Sequence, residues 1–460
     1  MTGISLLDPS ARVHFVGIGG AGMSAIAKVL FERGVPVSGS DLKRSGAAAV
    51  LSAMGVEVHI GHDANHIDGA GVVVISSAIP DANSELQAAR ARGIPVVTRG
   101  EALAVLIADT ESIAVAGTHG KTTTTSMIVS IFRHGDLDPT YLVGGGLNDS
   151  GTNARFGRGR WAIAESDESD GSFLLLSPTI GVITNVEADH VDHWSSLEEI
   201  YDAFERFMSS TREGGALVLP AGDAELLERG RASGHRLITF GPGGDVVAQD
   251  VRGTIDGSTF EVEVDGRRYP ATLQVPGEHN VSNALAAIAA ARAADVPIED
   301  AIAGVGSFHG VERRFQIRGE VHGVTVVDDY AHHPTEVEAT IATARPGPWR
   351  RLVAVFQPHR YSRTAAFASD FGRSFGAADR VVITDVYGAG ERPVPGVTGK
   401  LIADATCTSY PGKPVAYLPH RAELLSYLEG ALAPGDLLLT MGAGDITTVG
   451  EQVMKRLEHA

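Results

Sequence analysis

Ile113-Ala114-Val115-Ala116-Gly117-Thr118-His119-Gly120-Lys121-Thr122-Thr123-Thr124-Thr125 is an apolar run that breaks into a glycine-flanked lysine and then a row of threonines. The run reads as a buried strand and the stretch from Thr123 to Phe132 as a helix. The turn between them is therefore a phosphate-binding loop. Backbone N–H groups and the helix N-terminus hold phosphate oxygens there, Lys121 reaches the terminal phosphates, and the Thr122 hydroxyl suits magnesium. The common Walker spacing would put a first glycine where Val115 stands, so the loop is a shorter variant. A Gly-Lys-Thr on a surface turn is the bland alternative, and the flanking strand and helix argue against it.

The same alternation extends in both directions. Upstream, Val13-His14-Phe15-Val16 runs into Gly17-Ile18-Gly19-Gly20-Ala21-Gly22, then a helix to about Arg33, then Val35 to Asp41. Further strands at Val72–Ile75 and Pro95–Val97 complete a βαβ pattern with a parallel sheet. Downstream, strands are expected at 161–164 and 180–184, and helices at 197–208 and 280–294. Between Val246 and Leu273 the pattern changes to alternating strands with turn residues, read as an antiparallel insertion. A third α/β unit starts near His309, with strands at 324–327, 351–356, 380–383 and 436–440. The expected fold class is α/β with three domains: a Rossmann-like unit over 1–110, a phosphate-loop ATPase with a mixed sheet over 111–308, and a Rossmann-like unit over 309–460. No low-complexity linker separates them, so they are expected to pack directly.

Composition narrows the function classes. A chain of 460 residues with 43% hydrophobic and 20% charged residues is globular, and a formal charge of −18 disfavours nucleic acid or an anionic membrane as partner. The single cysteine, Cys407, excludes an internal disulfide framework and a multi-cysteine metal site. The first residues carry no basic segment followed by a long apolar core, and no apolar run is long enough to span a bilayer. A cytoplasmic location without stable membrane association is expected, as monomer or homodimer.

Four constellations carry chemistry. Gly17-x-Gly19-x-x-Gly22 with Asp41 at the end of the next strand fits a dinucleotide fingerprint; it equally admits the diphosphate of a UDP-linked substrate, or a tight turn without a ligand. Glu165-Ser166-Asp167-Glu168-Ser169-Asp170 follows a buried strand, where a magnesium ligand is expected; its acids repel one another unless a cation is near. Thr184-Asn185-Val186-Glu187-Ala188-Asp189-His190 follows another strand in the same way, and His190 is a second candidate ligand. In the third unit, Arg313 to Gln316, Asp329 to Glu336 and His359 to Thr364 supply Arg360 and Arg363, whose guanidinium groups grip carboxylate or phosphate bidentately. The alternatives for the last three are a solvated loop, a surface histidine without a role and two arginines on an exposed turn.

Together these strings, with Glu278-His279-Asn280, resemble the Mur ligase family over essentially the whole chain. Within that family, His332-His333-Pro334-Thr335-Glu336 and Asp167-Glu168-Ser169-Asp170 favour the alanine-adding branch. The resemblance implies ATP-dependent ligation of L-alanine to the lactyl carboxylate of UDP-N-acetylmuramate through an acyl phosphate, in peptidoglycan precursor synthesis, with ATP and Mg2+. Gly117, Thr118, His119, Gly120, Lys121, Thr122 and Thr123 would hold the nucleotide, with Asn280 on adenine and Arg314 and Asp329 reaching it from the C-terminal side. Thr122, Glu165 and His190 would be magnesium ligands. Gly17, Gly19, Gly20, Gly22, Met23, Ser24, Asp41 and His119 would line the sugar-nucleotide site. Lys121, His190, His332, Arg360 and Arg363 would act on the reacting groups. Several relatives bind magnesium with a carbamylated lysine, but no lysine lies between Lys121 and Lys400, so none forms there. The alternatives are a recycling ligase that attaches a whole peptide to the same sugar nucleotide, an NAD-dependent oxidoreductase, and a non-catalytic nucleotide-binding module.

Overall fold

The computed structural model describes residues 6–190 and 193–459. Val191 and Asp192, at the end of the second acidic string, and the N-terminal residues Met1 to Ser5 lie outside that range. Among the described residues the chain builds three sheets, in the expected α/β class. The first is all parallel, in the spatial order Glu57–Ile60, Val37–Asp41, Arg12–Val16, Ala70–Ile75, Val96–Thr98. Its order reverses beside Arg12–Val16, and the Gly17 to Gly22 turn leaves the C-terminal end of that strand, where ligands of open α/β sheets bind.

The second sheet has ten strands. Glu111–Ala116 lies near its middle, flanked in parallel by Ile180–Ile183 and Trp161–Glu165. All three strands therefore end on the same edge, which brings the phosphate loop, Glu165 and the segment from Thr184 together. The region from Val246 to Leu273 differs from the expected insertion: its three strands form an antiparallel meander that continues this sheet through Arg236–Phe240. Its inward residues, Val246, Phe260, Val262, Val264, Ala271 and Leu273, join the central core, so pairing with an open sheet edge costs no separate core.

Helices Lys121–His134 and Glu278–Ala293 cover one face. The second is alanine-rich because it is buried almost all round, and small side chains permit close approach. The third sheet runs Gln316–Val321, Val324–Asp329, Asp436–Met441, Arg351–Phe356, Arg380–Ile383, Val415–Tyr417, parallel except for its first strand. One apolar cluster contains Phe15, Val74 and Leu103 from the first unit and Ala164, Phe204 and Phe207 from the second, so these two share a core. No described helix is long and apolar enough to cross a membrane.

Candidate active site

The phosphate loop is held open by contacts that only glycine tolerates. Gly117 has φ +129°, and a Cβ there would run into the Thr184 hydroxyl; Gly120 has φ +77°, and a Cβ there would strike the Asn283 amide. Both are left-handed conformations that a larger residue adopts at a cost. Asn185 clips the loop from the neighbouring strand end. Its side chain accepts from His119 N at 2.9 Å and donates to His119 O at 3.0 Å, while its own carbonyl accepts from Thr118 N at 3.0 Å. Sequence reasoning quoted Asn185 without giving it a role and did not name Asn283. An amide three residues after Asn280, on the same helical face, was the available signal.

Lys121 lies at the start of the helix and is buried among acids. Its Nζ donates to Glu168 at 2.8 Å, to Gly117 O at 2.6 Å and to Thr118 O at 3.2 Å. Burial opposes its charge, and Glu168 and Asp167 outweigh burial, so its pKa rises. Thr122 Oγ1 donates to Glu165 at 2.9 Å, and Gly144 N donates to the other Glu165 oxygen at 2.6 Å. A Cβ at Gly144 would lie 2.7 Å from both Glu165 oxygens, so that backbone is shaped around the carboxylate. Burial pushes the Glu165 carboxyl upward, against Lys121. A hydroxyl and a cradled carboxylate are oxygen donors of the kind a hard divalent cation takes.

The expected repulsion in the acidic string is relieved by protein cations. Arg99, from the first unit, reaches Asp167 at 3.2 Å and Asp170 at 3.3 Å, and Lys121 takes Glu168. Glu165 is thus the acid of that string turned toward Thr122. Arg99 was missed because nothing in its local sequence marks it.

His190 has φ +49° and its backbone N donates to Asp189 Oδ1 at 2.7 Å. Its Nε2 is 3.5 Å from Glu168, and its Nδ1 is buried without a hydrogen-bond partner. Arg363 makes a bidentate pair with Asp189, both bonds at 2.9 Å, and is 3% exposed, so its guanidinium is engaged with the central unit. That pair draws the Asp189 carboxyl well below the usual range despite burial. Arg360 caps the helix Tyr361–Ser374 with φ +70°, and its Nη1 is 3.9 Å from Glu391. His332 Nδ1 lies 3.0 Å from Tyr330 O, and burial lowers its pKa to about 3, so its ring is neutral.

Asn280 and Asn283 are linked at 3.1 Å, and Asn280 also donates to Pro276 O at 2.6 Å. Asn280, Thr123, Arg314 and Asp329 line one cavity of about 200 Å³ with His119 and Gly120. The Asp329 carboxylate is occupied within its own unit by Phe315 N at 2.6 Å and Ala331 N at 2.7 Å, and burial raises its pKa to about 6. Arg314 stacks over Tyr330 at 5.2 Å. A second cavity, of about 350 Å³, joins Lys121, Thr122, Glu165 and His190 to Arg314 and His332. A third, of about 220 Å³, joins Gly22 and Arg99 to Lys121 and Glu165.

The glycine fingerprint is braced by its own contacts. Asp41 accepts from Gly19 N at 2.9 Å and so closes the turn itself. Met23 is buried in the shared core, and the Ser24 hydroxyl donates to Ala21 O at 3.0 Å within its own helix. Both side chains are buried on the first turn of the helix. The Gly17 turn, at φ +80°, and Gly20 remain at the strand end, with Gly22 packed under Arg99.

Three family models match in succession: the Mur ligase family catalytic domain over residues 12–111, the Mur ligase middle domain over 115–291, and the Mur ligase glutamate ligase domain over 313–444. The chain is 50% identical over 449 residues to a UDP-N-acetylmuramate–L-alanine ligase of Rubrobacter xylanophilus, covering 97% of this chain and all of that one. Among solved structures, it matches a UDP-N-acetylmuramate-alanine ligase from Thermotoga maritima with a TM-score of 0.82 and 31% identity, over 97% of this chain and 99% of that one. A murein peptide ligase from Psychrobacter arcticus matches with a TM-score of 0.74 and 24% identity, over 98% and 99% of the two chains. Matched by these three models in succession and by relatives over nearly its whole length, the chain belongs to the Mur ligase family.

Proposed function

We propose that this protein joins L-alanine to the lactyl carboxylate of UDP-N-acetylmuramate at the expense of ATP, in the synthesis of peptidoglycan precursors. The observation that carries the reading is a pair of cavities with a common wall: Lys121 and Glu165 border both the one that reaches Gly22 and Arg99 and the one that reaches Arg314 and His332. A sugar nucleotide entering from the first unit and an amino acid entering from the third meet at the phosphate loop. The extensive identity to L-alanine ligases favours alanine as the amino acid.

A carboxylate is a poor electrophile. Its oxygen attacks the γ-phosphorus, ADP leaves, and the resulting acyl phosphate has a good leaving group. The neutral amine of alanine then attacks the acyl carbon, a proton is lost from nitrogen, and phosphate departs. Lys121 neutralises charge on the transferring phosphoryl group, and the loop amides from Thr118 to Lys121 position the phosphates. Asn280 takes the adenine side and Arg314 approaches from the third unit. Neutral His332 and Arg360 face the incoming amino acid, and Arg363 acts by fixing Asp189 and hence His190. Thr122, Glu165 and His190 would hold magnesium, which supplies charge neutralisation at the phosphates. On this reading residues 1–110, 111–308 and 309–460 bring the sugar nucleotide, ATP and amino acid respectively.

The test is ADP release with magnesium, ATP and UDP-N-acetylmuramate, adding L-alanine, L-glutamate or an L-alanyl-γ-D-glutamyl-diamino acid tripeptide. Release that requires L-alanine, with a product heavier by one alanyl residue, is expected. Release with the tripeptide alone would assign the recycling reaction instead.

A further inference from the structure

His119, Glu187 and His333 place three ligand atoms within 4.8 Å of one another, at the boundary between the second and third units. His119 Nε2 is 3.4 Å and His333 Nδ1 is 3.9 Å from the same oxygen, Glu187 Oε2. Both of these nitrogens are buried without a hydrogen-bond partner, and His333 is 4% exposed. Two orphaned imidazole nitrogens aimed at one carboxylate oxygen are an uncompensated arrangement unless a cation or proton sits among them.

The opposite nitrogen of each ring is supported from outside. His119 Nδ1 lies 3.4 Å from Glu336 Oε1, and His333 Nε2 lies 3.2 Å from the Ala188 carbonyl. Thr335 Oγ1 donates to Glu187 Oε2 at 2.7 Å. Carboxylate and carbonyl acceptors behind metal-binding histidines fix the tautomer that leaves the inner nitrogen's lone pair free. The rings are held at a centroid separation of 4.6 Å, and Pro334 starts the helix directly after His333.

We propose that His119, Glu187 and His333 form a binding site for a borderline divalent cation of the zinc class, separate from the magnesium ligands at Thr122, Glu165 and His190. Two imidazoles and one carboxylate suit Zn2+, Co2+ or Ni2+ and not Mg2+, which prefers oxygen. Donors around a tetrahedral zinc, at bonds of about 2.0–2.1 Å, stand about 3.3 Å apart; the 3.4 Å between His119 Nε2 and Glu187 Oε2 already meets this, whereas the 3.9 Å to His333 Nδ1 and the remaining separation, within 4.8 Å, close as side chains turn onto the ion. Because His119 belongs to the phosphate loop and His333 to the third unit, the ion pins the two together across the nucleotide cavity. In its absence a proton does part of the same work: burial favours a neutral His119, but Glu187 and Glu336 raise its pKa to about 9. Metal entry therefore releases a proton, and binding tightens as pH rises.

The experiment is a Co2+ titration of the full chain in excess Mg2+, followed by visible d–d absorption, with Zn2+ as competitor. One Co2+ per chain is expected, displaced one for one by Zn2+. His333→Gln and Glu187→Gln are each expected to weaken binding at least about tenfold, as loss of a ligand or its support does, while thermal melting and ADP binding show both variants folded. Glu165→Gln is expected to keep the Co2+ signal. No Co2+ uptake over Mg2+, or a signal that survives in both His333→Gln and Glu187→Gln, overturns the proposal. So does a signal lost in Glu165→Gln, which would assign the ion to the magnesium ligands.

Discussion

At the scale of single residues, Lys121 and Asn185 divide the work of the phosphate loop between charge and shape. Lys121→Ala removes the cation nearest the transferred phosphoryl group, and a loss on the order of a hundredfold or more in kcat is expected. UDP-N-acetylmuramate binding, measured by calorimetry, is expected to survive, because on the proposed reading most of that site's residues, Gly17 to Ser24 and Asp41, belong to the first unit; undiminished turnover in the variant would sink the assignment of the loop. Asn185→Ala acts differently. It strands the His119 N–H that the amide oxygen now satisfies, while the His119 carbonyl keeps the Thr184 hydroxyl at 2.6 Å, so the loop loosens, KM for ATP rises and stability falls by about 1–3 kcal/mol. A KM unchanged within error would show that the loop holds its shape without this clip. The lysine was legible from its glycine neighbours because backbone phosphate loops have a local signature. The asparagine was not, since its partners lie 66 residues away in sequence and only the parallel pairing of strand ends brings them together. The inward turn of Met23 and Ser24 escaped notice for a related reason: a helix's first turn after a glycine loop presents some residues to ligand and others to the sheet, and motif position does not say which.

At the scale of elements, the helix Lys121–His134 must be held rigidly for its N-terminus to meet phosphate. Ile298–Gly306 packs across it through Gly304, where a Cβ would run into the Ile131 backbone, and Ser130 Oγ donates to Gly304 O at 2.8 Å. Gly304→Ala is therefore expected to overpack this crossing and destabilise the protein by about 1–3 kcal/mol. Urea unfolding would register it as a lower midpoint, and an unaltered midpoint would mean that the two helices separate at no cost. Strands with strong apolar runs were readable from pattern alone, as Glu111–Ala116 and Arg351–Phe356 show, because burial on both faces demands such runs. The short pieces at or next to a sheet edge, Thr140–Leu142, Ala154–Arg155 and Val415–Tyr417, were not, since two or three residues carry no period. The meander over Val246–Leu273 was readable as strands but not as part of the central sheet, because its single parallel pairing, Phe240 with Val246, is a tertiary event.

At the scale of the whole molecule, the second and third units meet along Glu187-Ala188-Asp189, which are gripped in turn by Thr335, His333 and Arg363. Histidines around that seam set the pH range in which it holds. His279, His332 and His359 have pKa values lowered to about 4, 3 and 4, chiefly by burial. A depressed histidine contributes stability that is fully present above its unfolded value of about 6.5 and is lost as pH falls toward the folded value. His119 has the opposite sign. Its pKa is raised to about 9 by Glu187 and Glu336 against burial, so its contribution is fully present below about 6.5 and is lost as pH rises through 9. Asp329, raised to about 6, also contributes on the acid side and partly offsets the three histidines there. In chelator-treated protein, stability is thus expected to peak near pH 6.5, with a steep fall on the acid limb, where these three rings and His333, also lowered by burial, must charge, and a shallower fall on the alkaline limb carried by His119. Urea midpoints at acid, near-neutral and alkaline pH would trace this curve, and His119→Gln should flatten the alkaline limb alone. An acid limb that flattened in that variant, or an alkaline limb that did not, would mean that the seam is held by groups other than the ring between Glu187 and Glu336.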